Sequence, residues 1–246
     1  MADKYMDMNI DDALIEKPHR FSVETEDKGE RYFYLFPVTL GKLRLLKRHM
    51  DNLEIDFKIL TTNPYAEALR LATTKTEECC RLLTYHTFKK KRDIFDYAQV
   101  EERVKFFGEN LSYEELATII LVVLTKDNIE KFKAHLGITK ENERMRKVAE
   151  AKKKTQKSQN DFIFGCKSIY GALIDTACER YGWSYDYVLW GISLINLQLM
   201  LADRMQNIYL TDDEKKKVSS GLLQGGETIN ADDKANMENI LSMDWR

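Results

Sequence analysis

Proline and glycine are scarce, with three and eleven in 246 residues. Sandwiches and barrels of many strands need frequent tight turns, so all-β architectures are disfavoured and long helices favoured. Histidine is also scarce: His19, His49, His86 and His135 stand apart, with no His-x-x-x-His or Cys-x-x-Cys spacing. That leaves no metal-site signature. The four cysteines, Cys79, Cys80, Cys166 and Cys178, show no disulfide framework. With a polar N-terminus that reads as no signal peptide, reduced cytosolic thiols are expected. Asn110-Leu111-Ser112 matches a glycosylation acceptor, which carries no weight in that setting. Neither sign of charge prevails: 38 Lys and Arg face 40 Asp and Glu, a net of -2. There is no global drive toward nucleic acid or an anionic membrane, and neither is an expected partner. Long apolar runs are missing too. The longest, Tyr187 to Leu201, is broken by Ser193, Asn196 and Gln198 and is shorter than the roughly 20 residues of a membrane span. It reads as a central helix of a core.

What is present is a 43% hydrophobic chain, enough to build a sizeable core and to exclude disorder throughout. Residues 1–19 are acidic and aperiodic, and read as a flexible arm with at most one short helix. Phe21, Val23 and Thr25 alternate with polar partners, Asp27 to Glu30 is a turn signal, and Tyr32 to Phe36 is strand-prone. Residues 20–37 therefore read as one β-hairpin, which needs something to pack on.

Residues 38–206 read as a helical domain. Thr39 is an N-cap for Leu40 to Met50. Asn63-Pro64 opens a helix to about Lys91, and Asp93 to Gly108 forms another. Ser112 and Glu115 make a capping box before Leu116 to Leu124. That β-branched run is also compatible with a buried strand, though its neighbours favour helix. Asp127 to Leu136 is helical and ends at Gly137. Thr139 to Tyr181 is helical with a kink near 158–160, and Gly182 ends it. Ser184 caps a helix from Tyr185 to about Gln206. Residues 207–246 read as a tail with short helices, one opened by Thr211 and Glu214. The fold class is mainly α, bundle-like, with one N-terminal hairpin and flexible termini.

Catalytic signatures are absent. Neither phosphate-loop glycine pattern occurs. Cys79 lies on the same helix side as His86, but no third group completes a metal site or orients a nucleophilic pair, so core cysteines and a surface histidine are expected. The acidic doublets, such as Glu77-Glu78 and Glu114-Glu115, sit at helix starts, where they complement the macrodipole. No enzyme and no cofactor is expected.

Two segments stand out. Between Glu141 and Asn160 lie Arg144, Arg146, Lys147, Lys152, Lys153, Lys154 and Lys157 against three acids. A solvated face, an acidic protein partner and a nucleic-acid backbone all fit this run. The other is Gly182-Trp183-Ser184-Tyr185-Asp186-Tyr187-Val188-Leu189-Trp190, with four aromatics at a helix corner. Hinge packing explains it, and so does a partner pocket built from Trp183, Tyr187, Trp190 and Met200.

That corner, with the apolar helix ending Leu201-Ala202-Asp203, resembles the tail assembly chaperones of long-tailed bacteriophages, particularly those of Bacteroides-type hosts and prophages. The hairpin ending Tyr34-Leu35-Phe36-Pro37-Val38-Thr39-Leu40-Gly41 is similar to that family's opening strand pair and first helix. The matching pieces cover about residues 20–50 and 160–206. The resemblance implies a non-enzymatic protein of the infected host's cytoplasm. It would bind the tape measure protein, a long apolar helical chain, and keep it soluble until tail tube subunits polymerise around it. The tail tube protein and a second copy of the chain are further candidate partners. Two other readings are a structural virion component, such as a connector or tail-completion protein, and a nucleic-acid-binding accessory protein using the basic residues 144–157.

Overall fold

The computed structural model describes residues 2–25, 29–125, 129–155, 167–203, 209–211 and 215, the side chains of 2, 3 and 151–155 excepted. The chain divides into two compact units, one of residues 1–138 with 163–204 and the other of residues 139–162 with 205–246. The fold is mainly α with a single two-stranded antiparallel hairpin.

The first unit opens with α1 (Ala2–Leu14), followed by β1 (His19–Glu24) and β2 (Glu30–Leu35). Residues 1–19 were expected as a flexible acidic arm, and this is corrected: 2–14 form a helix whose Ile10 is buried with Phe132, Ile138, Ile195 and Leu199. Met6, Ile10 and Ala13 recur at helical spacing, and the acids between them hide that stripe in the sequence. The hairpin pairs His19 with Leu35 and Glu24 with Glu30. Its inner face carries Phe21, Val23, Phe33 and Leu35. Phe33 packs against Phe107 at 4.9 Å and Phe106 at 5.6 Å, which supplies the support a lone hairpin lacks.

The main core lies among α2 (Leu40–Leu53), α4 (Pro64–Thr74), α5 (Thr76–Thr87), α7 (Tyr97–Asn110) and α8 (Tyr113–Thr125), with α3 (Phe57–Thr62) and α6 (Lys91–Ile94) as short connectors. Leu46, Leu53, Leu71, Leu82, Leu83, Phe107, Leu116 and Ile120 are fully buried there. Each contributes roughly 1.5–3 kcal/mol on leaving water. The caps follow the local chemistry. Thr39 accepts from the Lys42 amide at 3.3 Å, Asn63 from Ala66 at 3.2 Å, and Glu115 reaches back to the Ser112 amide at 2.8 Å. The expected helix from Asn63 to about Lys91 is in fact two, broken at Lys75.

After α9 (Ile129–His135), the unit resumes with α11 (Ile169–Tyr181), α12 (Tyr185–Trp190) and α13 (Leu194–Ala202). Ser168 caps α11 and Gly182 ends it with φ 65°, a left-handed conformation that suits glycine. The expected single helix from Tyr185 to Gln206 is corrected: it breaks at Gly191-Ile192-Ser193. Among the described residues no helix is long and apolar enough to cross a membrane.

In the second unit the described part is mainly α10 (Ile138–Thr155), whose first residue belongs to the first unit. The expected kink near 158–160, the chain from 160 to 166 and most of the 207–246 tail lie outside the described residues.

Candidate functional site: an apolar groove beside the aromatic corner

The break between α12 and α13 has a tertiary cause. Ser193 forms an isolated bridge with Thr39, and the Leu194 amide donates to the Val38 carbonyl at 2.7 Å. The Ser193 amide donates to Glu16 Oε1 at 2.7 Å. Ser193 Oγ then caps α13 by accepting from the Asn196 amide. Glu16 itself takes a left-handed φ of 54°, which turns its carboxylate from the end of α1 toward this junction. Asn196 Nδ2 donates to the Leu14 carbonyl at 3.0 Å. One glutamate and one asparagine thus tie the end of α1 to the α12–α13 corner.

Between the tied elements lies an open groove of about 440 Å³, lined by Leu14, Ile15, Glu16, Tyr187, Gly191, Ile192, Asn196 and Met200. Its apolar walls are unusually bare, with Ile15 71% exposed, Tyr187 44% and Met200 36%. Asn196 Oδ1 is buried and has no hydrogen-bond partner among the described residues. The groove therefore offers apolar walls that suit side chains of a partner helix or strand.

The aromatic corner divides its labour. Tyr187 and Met200 line the groove. Trp183 stands behind them, stacked on Tyr181 at 4.7 Å and edge-on to Tyr187 at 5.2 Å. The Tyr181 hydroxyl donates to the Met200 carbonyl at 2.9 Å, which steadies that wall. Trp190 is not in the groove. It packs α12 onto α2, edge-on to Phe95 at 5.7 Å, with Lys91 Nζ 5.6 Å from its ring. Asp186 pairs with Lys91 at 2.6 Å. Leu14, Ile15, Glu16 and Asn196 were not singled out by sequence reasoning. The adjacent apolar pair Leu14-Ile15, at the end of an acidic segment, was the available signal.

The basic candidates lie on α10. Arg144 pairs with Glu141 at 2.7 Å and Arg146 with Glu150 at 3.8 Å, one helical turn apart in each case. Lys147 is exposed, the side chains of Lys152, Lys153 and Lys154 are outside the described part of the helix, and Lys157 lies outside the described residues. Pairing within the helix neutralises part of the stripe and fits a solvated face.

The Cys79–His86 idea gains no support. Burial pushes the Cys79 thiol up to about 12 and Cys80 up to about 11, the opposite of an activated nucleophile. His86 is buried rather than on the surface, as had been expected. Burial pushes it down to about 4, and its Nδ1 bonds to the Leu82 carbonyl at 2.8 Å. Among the described residues no group of three His, Cys, Asp or Glu side chains could hold a metal ion. The chain matches no family model, no curated protein and no solved structure.

Proposed function

We propose that the protein is a non-enzymatic tail assembly chaperone of a long-tailed bacteriophage. In this reading it acts in the host cytoplasm, where it binds the tape measure protein and keeps it soluble until tail tube subunits close around it. The observation that carries this reading is the apolar groove bounded by Leu14, Ile15, Tyr187 and Met200. Bare apolar surface of this kind marks an interaction site, and a flexible methionine beside an aromatic accepts helices of varied sequence. A client with long apolar seams would aggregate without such cover. The resemblance of the corner and of the hairpin to the chaperone family supplies the identity of that client.

The test is recovery of partners from phage-producing cells with tagged wild-type protein and with Ile15→Glu and Met200→Glu. Both positions are exposed, so folding stability should change by no more than about 0.5 kcal/mol. Wild type should recover one very long helical protein, and both variants should lose it. Recovery of assembled virion proteins alone would select a structural role, and unchanged recovery by both variants would remove the groove from the function.

A further inference from the structure

Outside the groove, the outer face of the hairpin carries a strip in which aromatics and cations alternate. The period of two along β2 sends Phe33 and Leu35 to the core and leaves Tyr32 and Tyr34 outside, 50% and 43% exposed. Each link of the strip is measurable. Arg20 is the cross-strand partner of Tyr34, and its guanidinium lies 4.7 Å from the Tyr32 ring centroid. The Tyr34 and Phe36 rings are 6.4 Å apart. Two ammonium groups then approach Phe36, Lys42 Nζ at 5.9 Å and Lys89 Nζ at 6.0 Å. The Phe36 amide donates to the His86 carbonyl at 2.9 Å, which fixes this end of the strip against α5.

Charge is distributed unevenly along it. Glu24 and Glu30 sit at the turn end, where the Tyr32 hydroxyl donates to Glu30 at 2.5 Å. From Arg20 onward the strip holds cations. Among the described residues Arg20, Lys42 and Lys89 form no ion pair, whereas Arg70, Arg81, Lys91 and Arg144 all do. Lys42 is the telling member. It is only 2% exposed, and burying an ammonium without a carboxylate is costly. Its pKa falls to about 8, so it still carries its charge at neutral pH. With Lys89 facing the same ring, the local need is for an anion.

We propose that this strip binds a short stretch of single-stranded nucleic acid, with bases stacked on Tyr32 and Tyr34, phosphates held by the exposed Arg20 and Lys89, and the buried Lys42 charge adding to the local positive potential. Stacking separates this reading from an acidic peptide, for which exposed rings two residues apart have no use. Those rings recur at ~7 Å along the strand, a spacing open to the splayed bases of an unpaired strand. The strip has room for two or three bases. Neutralising two phosphates gives a salt slope near -1.4, so binding should weaken about 7-fold between 50 and 200 mM salt. The cations of α10 have no part in it and are partly paired along their own helix.

The experiment is fluorescence anisotropy of a labelled oligothymidylate of about twelve nucleotides, within the site sizes such proteins cover. The full-length protein is titrated at several salt concentrations, with unlabelled polyglutamate as competitor. Tyr34→Ala should weaken binding by about tenfold, and Lys89→Ala should weaken it and flatten the salt slope by about 0.7. Arg144→Ala should change nothing. Tyr34 on the hairpin and Lys89 just after α5 are both exposed, so circular dichroism should report an intact fold for each variant. Absence of binding at low salt, retention of full affinity by Tyr34→Ala, or equal competition by polyglutamate at matched charge would overturn the proposal.

Discussion

Gly41, in the first turn of α2, gives the most exposed test of how the aromatic corner is built. A methyl group added there would lie 2.8 Å from two carbons of the Trp190 ring and 2.9 Å from the Leu189 carbonyl oxygen. The ring could shift, but the carbonyl belongs to α12 and moves only if that helix does. Two effects of Gly41→Ala oppose each other. Alanine favours the helix over glycine by roughly 0.5–1 kcal/mol, partly through the unfolded chain. Overpacking a filled contact costs roughly 1–3 kcal/mol. The backbone clash makes the second term prevail, for a net loss of about 1–2 kcal/mol. In a protein of this size that lowers Tm by about 3–6 °C. Urea unfolding followed by circular dichroism and by tryptophan fluorescence would measure it. A stability gain of about 0.5–1 kcal/mol would mean that α12 is not seated on α2 through Trp190 and would refute the division of the corner into a packed tryptophan and a groove-lining tyrosine.

The buried bases and thiols yield two further predictions. His86 is held down to about 4 from 6.5, so the unfolded chain takes up a proton that the folded one refuses, and stability should fall as pH drops from about 6.5 toward 4, by up to about 3 kcal/mol. Lys42, lowered from 10.5 to about 8, has the same sign in a higher window: stability should rise between about pH 8 and 10.5. Lys42→Met should remove that upper rise and stabilise the protein at pH 7 by about 1–3 kcal/mol. It should also raise the His86 pKa, since the Lys42 charge is one of the causes lowering it. Urea midpoints of wild type and variant across both windows test this, and parallel profiles would refute it. Finally, Cys79 and Cys80 should resist iodoacetamide at about pH 8 in the folded protein and react in urea, because burial holds both thiols protonated. Peptide mass mapping reads the labelled sites, and rapid labelling of either in the native state would contradict the packing.

The line between what was legible and what was not follows the range of the interactions. Helix class, the hairpin and several helix ends were open to the sequence because they are decided within a few residues. The Thr39 cap, the Asn63-Pro64 start, the Ser112–Glu115 box, the Ser184 cap and the Gly182 stop each depend on one side chain meeting an amide or one φ value nearby. The alternation of Phe21 and Val23 likewise pointed to the buried face of β1, whereas Tyr32 to Phe36 read only as strand-prone and its inward residues, Phe33 and Leu35, are decided by packing.

Long-range contacts decided the rest. The apolar run from Tyr185 to Leu201 carries no breaker strong enough to end a helix. Its break exists because Ser193 meets Thr39 and Glu16, residues more than 150 positions away in sequence. The helical state of residues 2–14 was hidden by their acids. It follows from a buried seat for Ile10 made by α9 and α13, since short isolated helices are marginal without tertiary packing. The candidate sites fall on the same side of the line. Tyr187 and Met200 were visible as aromatic and flexible apolar residues, but a groove exists only where Leu14 and Ile15 are brought to face them. Lys42 looks like any lysine of a helix start, and its burial beside Phe36 without an ion pair among the described residues is a property of the packing. The sequence by itself determined that the chain after the hairpin is mainly helical, where several of those helices begin and end, and that a sizeable core forms. Tertiary structure alone decided which of those surfaces stay uncovered, because exposure is set by what the rest of the chain happens to reach.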